Sequence, residues 1–210
     1  MDIVVAGTGG LAREFTSFFV DGSERIRILG YSSTNHVEHE QFKLPGQLFK
    51  GEISPSRVGT NNIVIAIGDP VVKQKIYEQL KPLGFKFPSL IHPSSVVSDR
   101  VVLEPGVVIS PNCVISPNVT LKSFSYINFC CGIGHDAVIG NFVQINPGSQ
   151  LGGFSSIGDE TLIGSGTTIL QGVNVGEKAT VASGSVVFAR VKDRAIVMGN
   201  PAKRMRALEK

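Results

Sequence analysis

The most regular feature of the chain is an aliphatic residue at every sixth position from Val97 to Val187. These sixteen anchors are Val97, Leu103, Ile109, Ile115, Leu121, Ile127, Ile133, Ile139, Ile145, Leu151, Ile157, Ile163, Ile169, Val175, Val181 and Val187. The residue four positions after each anchor is small or β-branched, as at Cys113 and Ser125, and this second series ends at Val191. A period of six fits neither an amphipathic helix nor a long strand, so each repeat is predicted to form one short strand and one turn.

This period is typical of a parallel β-helix, in which three hexapeptides make one coil. Sixteen repeats give about five coils, and a strand spacing of about 4.8 Å makes the prism on the order of 25 Å long. The anchors are expected to fill the interior together with the small residues. Glycine directly follows six anchors, where we expect it to allow tight or positive-φ turns. These are Gly134, Gly140, Gly152, Gly158, Gly164 and Gly176. The period does not determine the hand of the helix.

The first part of the chain has a different pattern, in which apolar runs alternate with stretches of helical spacing. The predicted strands are Asp2 to Ala6, Ile26 to Tyr31 and Asn62 to Ile67, and the predicted helices are Leu11 to Phe19 and Val71 to Leu80. Alternating strands and helices favour a small parallel α/β sheet. The sequence therefore predicts two domains: residues 1–90, which are Rossmann-like, and residues 91–210, which form the β-helix and a short C-terminal helix.

A glycine-rich turn follows the first predicted strand. Gly7, Gly9 and Ala12 satisfy the spacing G-x-G-x-x-G/A, which lets a backbone approach a phosphate at a helix N-terminus. A domain that binds NAD should also carry an acid at the end of its second strand, but this chain has Tyr31 to Thr34 there. An NAD-dependent activity is therefore disfavoured. Alternatively, the glycines only allow the strand to pack closely on the helix.

Composition excludes several function classes. A net charge of +3 without a dense basic face does not indicate a nucleic-acid-binding protein. The apolar runs are too short for a membrane span and the N-terminus lacks the features of a signal peptide, so we expect a cytoplasmic protein. The three cysteines, Cys113, Cys130 and Cys131, lack the spacing of metal ligands and are an odd number. Neither a metal site nor a disulfide framework is predicted.

His135 is the only histidine inside the repeats, and it follows an anchor and a glycine, so it should project from a corner of the prism. The adjacent Asp136 can set the tautomer of its imidazole and raise its basicity, as in other pairs of a general base and an orienting acid. A surface histidine beside a solvated acid is the alternative. Asp69 follows the third predicted strand, at the sheet edge where α/β proteins bind ligands, but it is equally suited to cap the next helix.

The chain resembles the left-handed β-helix acyltransferases, which use acetyl-CoA and work as trimers. As a whole it is similar to the bacterial enzymes that acetylate UDP-, dTDP- or GDP-linked 4-amino sugars, a group that includes relatives of the sialic acid O-acetyltransferases. The resemblance rests on the glycine-rich N-terminus, Ile91-His92-Pro93, the run from Asn128 to Gly140, and Gly199-Asn200-Pro201-Ala202-Lys203.

The resemblance implies a role for each candidate residue. His135 acts as the base with Asp136, and the site lies between subunits of a homotrimer. The substrate-binding residues are Gly7, Thr8, Gly9, Gly10, Ser32, Ser33, Asp69 and Asn128. The residues for acetyl-CoA are Gln144, Gly152, Gly153, Ser183, Gly184, Pro201 and Lys203, with further basic residues near the C-terminus. Relatives often have acids where this chain has Ser32 and Ser33, and some have a second histidine in place of Gln144.

The implied function is N-acetylation of a nucleotide-linked 4-amino-4,6-dideoxy sugar during the synthesis of surface-glycan precursors such as those of lipopolysaccharide. The amine would attack the thioester directly. An acyl-enzyme at Cys130 is the alternative route. O-acetylation of a sugar, as in the sialic-acid group, is a competing activity, and a trimeric scaffold without activity is a third possibility.

Overall fold

The computed structural model describes residues 1–20, 26–35 and 37–206. The chain divides into two compact units, Met1–Pro88 and Ser89–Lys210. The first unit alternates strands and helices, and the second consists of short strands at regular intervals. None of the helices in the described ranges has both the length and the apolar character that crossing a bilayer requires.

A four-stranded parallel sheet forms the centre of the first unit, with the strand order β3-β2-β1-β4. Its elements are β1 (Asp2–Ala6), α1 (Gly10–Phe19), β2 (Arg27–Ser32), α2 (Val37–Gln41), β3 (Gln47–Phe49), α3 (Pro55–Val58), β4 (Ile63–Ile65), α4 (Pro70–Leu80) and a 3-10 turn (Lys81–Leu83). Strand β1, which is inside the sheet, and β4, which is at its edge, are both almost fully buried. The three predicted strands and two predicted helices are present, whereas α2, β3 and α3 were not predicted.

The second unit is a prism with three parallel faces, which the chain visits in turn. Face 1 contains β5 (Leu90–Ile91), β8 (Val108–Ile109), β11 (Tyr126–Ile127), β14 (Gln144–Ile145), β17 (Leu162–Ile163), β20 (Thr180–Val181) and β22 (Ile196–Met198). Face 2 contains β6 (Val96–Val97), β9 (Val114–Ile115), β12 (Gly132–Ile133), β15 (Gln150–Leu151), β18 (Thr168–Ile169) and β21 (Val186–Val187). Face 3 contains β7 (Val102–Leu103), β10 (Thr120–Leu121), β13 (Val138–Ile139), β16 (Ser156–Ile157) and β19 (Asn174–Val175).

Each anchor of the hexapeptide register is the last residue of a two-residue strand, and its side chain is buried from Ile109 to Val187. The small residues share this interior; Cys113, Val119 and Ala137 are inaccessible to solvent. Burying one aliphatic side chain contributes about 1.5–3 kcal/mol, so the column of anchors is the main source of stability in this unit. The predicted fold class, a Rossmann-like parallel α/β sheet followed by a left-handed parallel β-helix, is confirmed.

The regular period ends after Val187. Up to that point, residues that pair across neighbouring coils are 18 positions apart, as Thr168 and Val186 are. In the last coil the spacing falls to 16, because Val175 pairs with Val191 and Val181 pairs with Val197. Val191 therefore pairs with an anchor and is not the last of the small residues, as its position in the sequence had suggested. The turn before it is two residues shorter than the others.

The glycines that directly follow anchors do not have positive φ, so of the two expected uses, tight turns or positive-φ turns, the second is not found. Positive φ occurs instead at the third residue after an anchor, at Gly106, Asn112, Asn118, Phe124, Cys130, Asp136, Phe142, Gly148, Phe154, Glu160, Gly166, Gly172, Lys178 and Gly184. The glycines after anchors are needed for space. A Cβ atom on Gly158 would lie 2.5 Å from the backbone nitrogen of Glu177 in the next coil.

The end of the chain, where the sequence predicts a short helix, is described as far as Arg206. Lys203–Arg204 instead forms β23, which pairs antiparallel with β22. The N–H groups of Ala202 and Met205 are donated to the carbonyls of Val186 and Ile196. Because these backbone groups already bond to the prism, a C-terminal helix can begin only after Met205, and Arg206 has 3-10 conformation. Residues 207–210 lie outside the described residues.

The two kinds of glycine should respond differently to the same substitution. We expect Gly158→Asn to lower the free energy of unfolding by about 1–3 kcal/mol, because its Cβ overlaps the backbone of the next coil. Gly172→Asn should change stability by less than about 0.5 kcal/mol. Gly172 has a φ of +71° and open space around its Cα, and asparagine is tolerated at that φ. Urea unfolding of both variants, followed by circular dichroism, makes the comparison; equal losses would contradict it.

Candidate active site

His135 and Asp136 lie in the corner where the chain passes from face 2 to face 3. Ile133 ends β12 with its side chain inside the prism, so the residues that follow turn outward. Asp136 has a φ of 60°, which is the positive-φ position of this turn. The His135 side chain is 52% exposed and the Asp136 side chain 34% exposed. The sharp corner thus presents an imidazole and a carboxylate at the surface, as predicted.

A hydrogen-bonded chain connects three side chains at this corner. His135 Nδ1 lies 2.8 Å from Asp136 Oδ2, and Asn118 Nδ2 donates to Asp136 Oδ1 at 3.1 Å. These bonds, first to His135 and then to Asn118, lower the pKa of Asp136. The carboxylate is therefore ionised at neutral pH, and its contact with His135 is lost only as the pH falls through that lowered pKa. In the neutral tautomer that donates Nδ1–H to this carboxylate, Nε2 carries no proton and can accept one.

Two residues of the next coil hold the imidazole ring on its other sides. Gly153 is buried, and a Cβ atom added to it would lie 2.7 Å from His135 Nε2. Only glycine therefore leaves room for the ring in this position. Phe154 packs edge-on against His135, with ring centroids 5.0 Å apart at an interplanar angle of 89°, and it is 57% exposed. The imidazole is thus fixed by Asp136, Gly153 and Phe154.

Gly152 and Gly153, which the resemblance assigns to acetyl-CoA, differ in the availability of their N–H groups. The Gly152 N–H is donated to the carbonyl of Ile169 at 2.8 Å and belongs to the hydrogen bonds between coils. The Gly153 N–H has no hydrogen-bond partner within the ranges that the structure describes. Gly153 is therefore the better candidate to donate to a developing oxyanion near Nε2.

The other candidate residues of the prism do not lie at this corner. Asn128 is buried at the corner between faces 1 and 2, where its Oδ1 accepts from the Phe129 N–H at 2.8 Å. Ser183 and Gly184 are exposed at the same corner about three coils later. Gln144 is buried on face 1 and donates to Asn146 Oδ1 at 3.2 Å. Within one chain, face 2 therefore lies between His135 and these residues, Asn128, Gln144, Ser183 and Gly184.

The last candidates for acetyl-CoA lie beyond the regular coils. Pro201 and Lys203 are exposed and follow β22 on face 1. Arg190 and Lys192 line a surface pocket of about 520 Å³ at the end of the prism, with Asp193 as its acid. Their charges would favour a bound phosphate. Arg190 lies on the same corner as His135, three coils later, whereas Pro201 and Lys203 lie beyond the last strand of face 1.

The first unit contains an open cleft of about 1290 Å³ at the carboxyl ends of its parallel strands. Gly7, Ser32 and Ser33 line it, as expected for ligand-binding residues at this edge of the sheet. Further lining residues come from the segment Gly51 to Ser54 after β3, and from α4. The remaining candidates, Thr8, Gly9, Gly10 and Asp69, are not among the lining residues.

The glycine turn packs tightly and carries an acid that the sequence did not suggest. Gly7 has a φ of +115°, and a Cβ there would lie 2.8 Å from Ile67 Cδ1. Thr8 is buried, with its Oγ1 at 3.0 Å from Ser33 Oγ and 3.4 Å from Glu38 Oε2. Glu38 belongs to α2, so its carboxylate reaches the turn from outside the motif. A carboxylate at this point disfavours a phosphate at the start of α1.

Asp69 is the N-cap of α4. Its Oδ1 accepts from the N–H groups of Val71 and Val72 at 2.9 and 3.0 Å. Burial lowers the pKa of Lys73 to about 7, and the nearby Asp69 carboxylate opposes this effect by raising that pKa. These contacts favour the structural role of Asp69 over ligand binding.

The thiols have separate environments. Cys131 is buried and donates to the carbonyl of Asn146 at 3.3 Å, whereas Cys130 is exposed at the corner between faces 1 and 2. No group of three or more histidine, cysteine or acidic side chains in the described part of the chain is arranged to hold a metal ion.

Two family models match the β-helix. Residues 136–171 match the bacterial transferase hexapeptide of six repeats, and residues 155–189 match the hexapeptide repeat of succinyl-transferase. The first segment begins at Asp136, beside His135, and the second extends to the end of the regular coils.

Solved structures resemble the whole chain. A variant of perosamine N-acetyltransferase from Caulobacter crescentus, with one histidine changed to asparagine and bound to CoA and GDP-perosamine, has 25% identity and a TM-score of 0.85 over 98% of this chain and 97% of that chain. The acetyltransferase domain of PglB from Neisseria gonorrhoeae in complex with acetyl coenzyme A has 28% identity and a TM-score of 0.81, over 97% and 98%. WeeI from Acinetobacter baumannii shares the fold at 23% identity, with a TM-score of 0.79 over 98% and 100%. The predicted resemblance to hexapeptide-repeat nucleotide-sugar acetyltransferases is confirmed.

Three residues near the candidate sites were not found from the sequence. Asn118 and Phe154 lie one coil before and one coil after Asp136, so adding or subtracting 18 residues from it would have identified both. Glu38 has no such signal, because the five-residue helix α2 that carries it is too short to show a hydrophobic period.

The contact between Gly153 and His135 can be tested with a double-mutant cycle. We expect Gly153→Ala to displace the imidazole and to lower both stability and kcat, because the new methyl group overlaps the ring. In a His135→Ala background the same substitution should cost less than about 0.5 kcal/mol, since the ring is gone. Thermal unfolding of the four proteins gives the interaction energy, and a value near zero would show that the two residues do not compete for space.

Proposed function

We propose that this hexapeptide-repeat acyltransferase transfers the acetyl group of acetyl-CoA to the amine of a nucleotide-linked 4-amino-4,6-dideoxy sugar, as a step in the synthesis of surface-glycan precursors. The observation that carries the proposal is the His135–Asp136 pair over Gly153. The likeness of the whole chain to perosamine N-acetyltransferase supports both the acyl donor and the class of acceptor. The likeness to an acetyltransferase domain bound to acetyl coenzyme A supports the donor independently.

In this mechanism the neutral amine of the sugar attacks the thioester carbonyl. Nε2 of His135 takes a proton from the nitrogen as the new bond forms, and the Asp136 carboxylate stabilises the resulting imidazolium through Nδ1. The Gly153 N–H donates to the oxyanion. The tetrahedral intermediate then collapses, the carbon–sulfur bond breaks, and the proton on His135 passes to the departing thiolate of CoA.

Direct attack fits the positions of the thiols better than an acyl-enzyme does. Cys131 is buried inside the prism and cannot meet a substrate. Cys130 is exposed but lies at a different corner from His135 in the same chain. Within one chain, neither thiol is therefore within hydrogen-bond reach of that imidazole, which a nucleophile activated by the base would need. Cys130 of a neighbouring subunit shares the corner of Asn128, and the Cys130→Ala variant below tests it.

The cleft of the first unit is our proposed site for the nucleotide. Its lining combines apolar side chains, such as Ile53 and Ile67, with Ser32, Ser33 and Arg57. Apolar surfaces suit the face of a base, and the hydroxyls and guanidinium suit its edges, the ribose or the diphosphate. The serines stand where relatives often have acids, so UDP, dTDP and GDP all remain to be compared.

The separation of the prism residues supports a site shared between two subunits of a homotrimer. His135 and Gly153 lie at one edge of face 2, and Asn128 and Ser183 lie at the other edge. A single site can use both sets if one chain supplies the first and its neighbour supplies the second, as in a ring of heterologous contacts. Val96 and Val114 on face 2 are 66% and 52% exposed and offer apolar surface for such a contact.

The activity can be tested by thiol release from acetyl-CoA with UDP-, dTDP- and GDP-linked 4-amino-6-deoxy sugars. We expect turnover of at least one amine, and a decrease in kcat/KM of at least about 100-fold in His135→Asn, which removes the base but keeps a polar side chain. Cys130→Ala should keep full activity. Turnover only with a hydroxyl acceptor would indicate O-acetylation, and binding of acetyl-CoA without any turnover would favour a scaffold.

The shared site can be tested by mixing subunits. His135→Ala and Asn128→Ala homotrimers should each be nearly inactive. After the two are unfolded together and refolded in equal amounts, about a quarter of the sites should combine an intact His135 with an intact Asn128 from the neighbour. Recovery of that fraction of activity, with light scattering to confirm the trimer, is the expected result. A mixture as inactive as its parents would show that both residues must come from one chain.

A further inference from the structure

We infer that Asn118 is a positioning residue of the active site, which holds the Asp136 carboxylate in the orientation that directs His135. The inference rests on the proposed acetyl transfer for its effect on activity, and on geometry alone for its effect on Asp136. Asn118 does not touch the imidazole; it acts through Asp136, to which its Nδ2 donates at 3.1 Å.

The backbone and the side chains tie these two residues together. Asn118 lies 18 residues before Asp136, in the same position of the preceding coil, and both have positive φ. The Asp136 N–H is donated to the carbonyl of Pro117 at 3.1 Å. The side-chain bond is therefore added to a backbone that is already held in register, so little conformational entropy is lost when it forms.

The two carboxylate oxygens of Asp136 have different partners, and this difference explains the role of Asn118. Oδ1 accepts from Asn118 and Oδ2 lies against His135 Nδ1. The terminal torsion of an aspartate is broad, so a carboxylate bonded through one oxygen can rotate away from the line of the other. A donor on Oδ1 restricts this rotation. It therefore keeps Oδ2 aimed at Nδ1 and keeps Nε2 as the proton acceptor.

Asn112 provides a matched control for substitution of Asn118. Both asparagines are exposed, both are the third residue after an anchor, and their φ angles are 58° and 62°. Within the described residues, the Asn112 side chain makes no hydrogen bond to another side chain. Glycine adopts positive φ without strain, so Asn118→Gly and Asn112→Gly should both fold and differ only in the loss of the bond to Asp136.

The test compares the two glycine variants with the wild-type enzyme. We expect Asn118→Gly to lower kcat by about three- to tenfold and to leave the KM for acetyl-CoA and the melting temperature close to those of Asn112→Gly. The pKa of the Asp136 carboxyl, followed by NMR with ¹³C-labelled aspartate, should rise in Asn118→Gly, because one of the bonds that lower it is lost. Asn118→Asp should raise that pKa further and lower kcat more, since it places a second negative charge beside Asp136.

The outcomes separate this inference from the proposed function. The pKa of Asp136 is measured without a substrate, so an enzyme that acetylates no amine but still shows the rise would contradict the proposed function and retain the role of Asn118. If Asn118→Gly and Asn112→Gly have the same Asp136 pKa and the same kcat, the inference is wrong. A loss of kcat that is matched by a loss of melting temperature would assign Asn118 a structural role only.

Discussion

The stacking of one coil on the next is the constraint on which the rest of the β-helix depends. Backbone hydrogen bonds join each strand to residues 18 positions away, and the anchors fill the column that this spacing creates. Each residue of an inner regular coil therefore lies beside the residues 18 positions before it and 18 positions after it. The glycines after the anchors show how strict the spacing is, because a single Cβ atom at Gly158 meets the backbone of the coil above it. A corner of the prism is consequently rigid without any long side-chain network.

This rigidity explains how so exposed a histidine can be well ordered. Three successive coils each supply one part of its surroundings: Asn118 and its amide, then His135 with Asp136, then Gly153 with Phe154. The contacts are individually modest, since the hydrogen-bonded pair His135–Asp136 is exposed to solvent. Together they fix the orientation of the imidazole, because the backbone of the prism sets the position of each contacting residue. Pre-organisation of this kind suits a general base, whose task is to present one nitrogen at one angle.

The sequence predicted the repetitive unit well because its signal is redundant: sixteen anchors report the same structure. Local departures from the six-residue repeat could not be predicted from it. Because the last coil is shorter, Val191 was assigned to the small residues although it pairs with an anchor. Positive φ was expected at the glycines after the anchors, but it occurs two residues later. In the first unit, β3 and the helices α2 and α3 have three to five residues, which is too short for a hydrophobic period. Glu38 was missed for that reason.

The antiparallel pairing of β22 with β23 has a consequence for the solubility of the protein. A stack of parallel coils ends in strands whose backbone groups could bond to the first coil of another molecule, so an unprotected end is a template for fibres. On face 1, β23 occupies that position with two basic side chains and the opposite strand direction. A second molecule cannot continue the parallel order across it. The reversal of a few residues after Pro201 thus terminates a pattern that has no internal reason to stop.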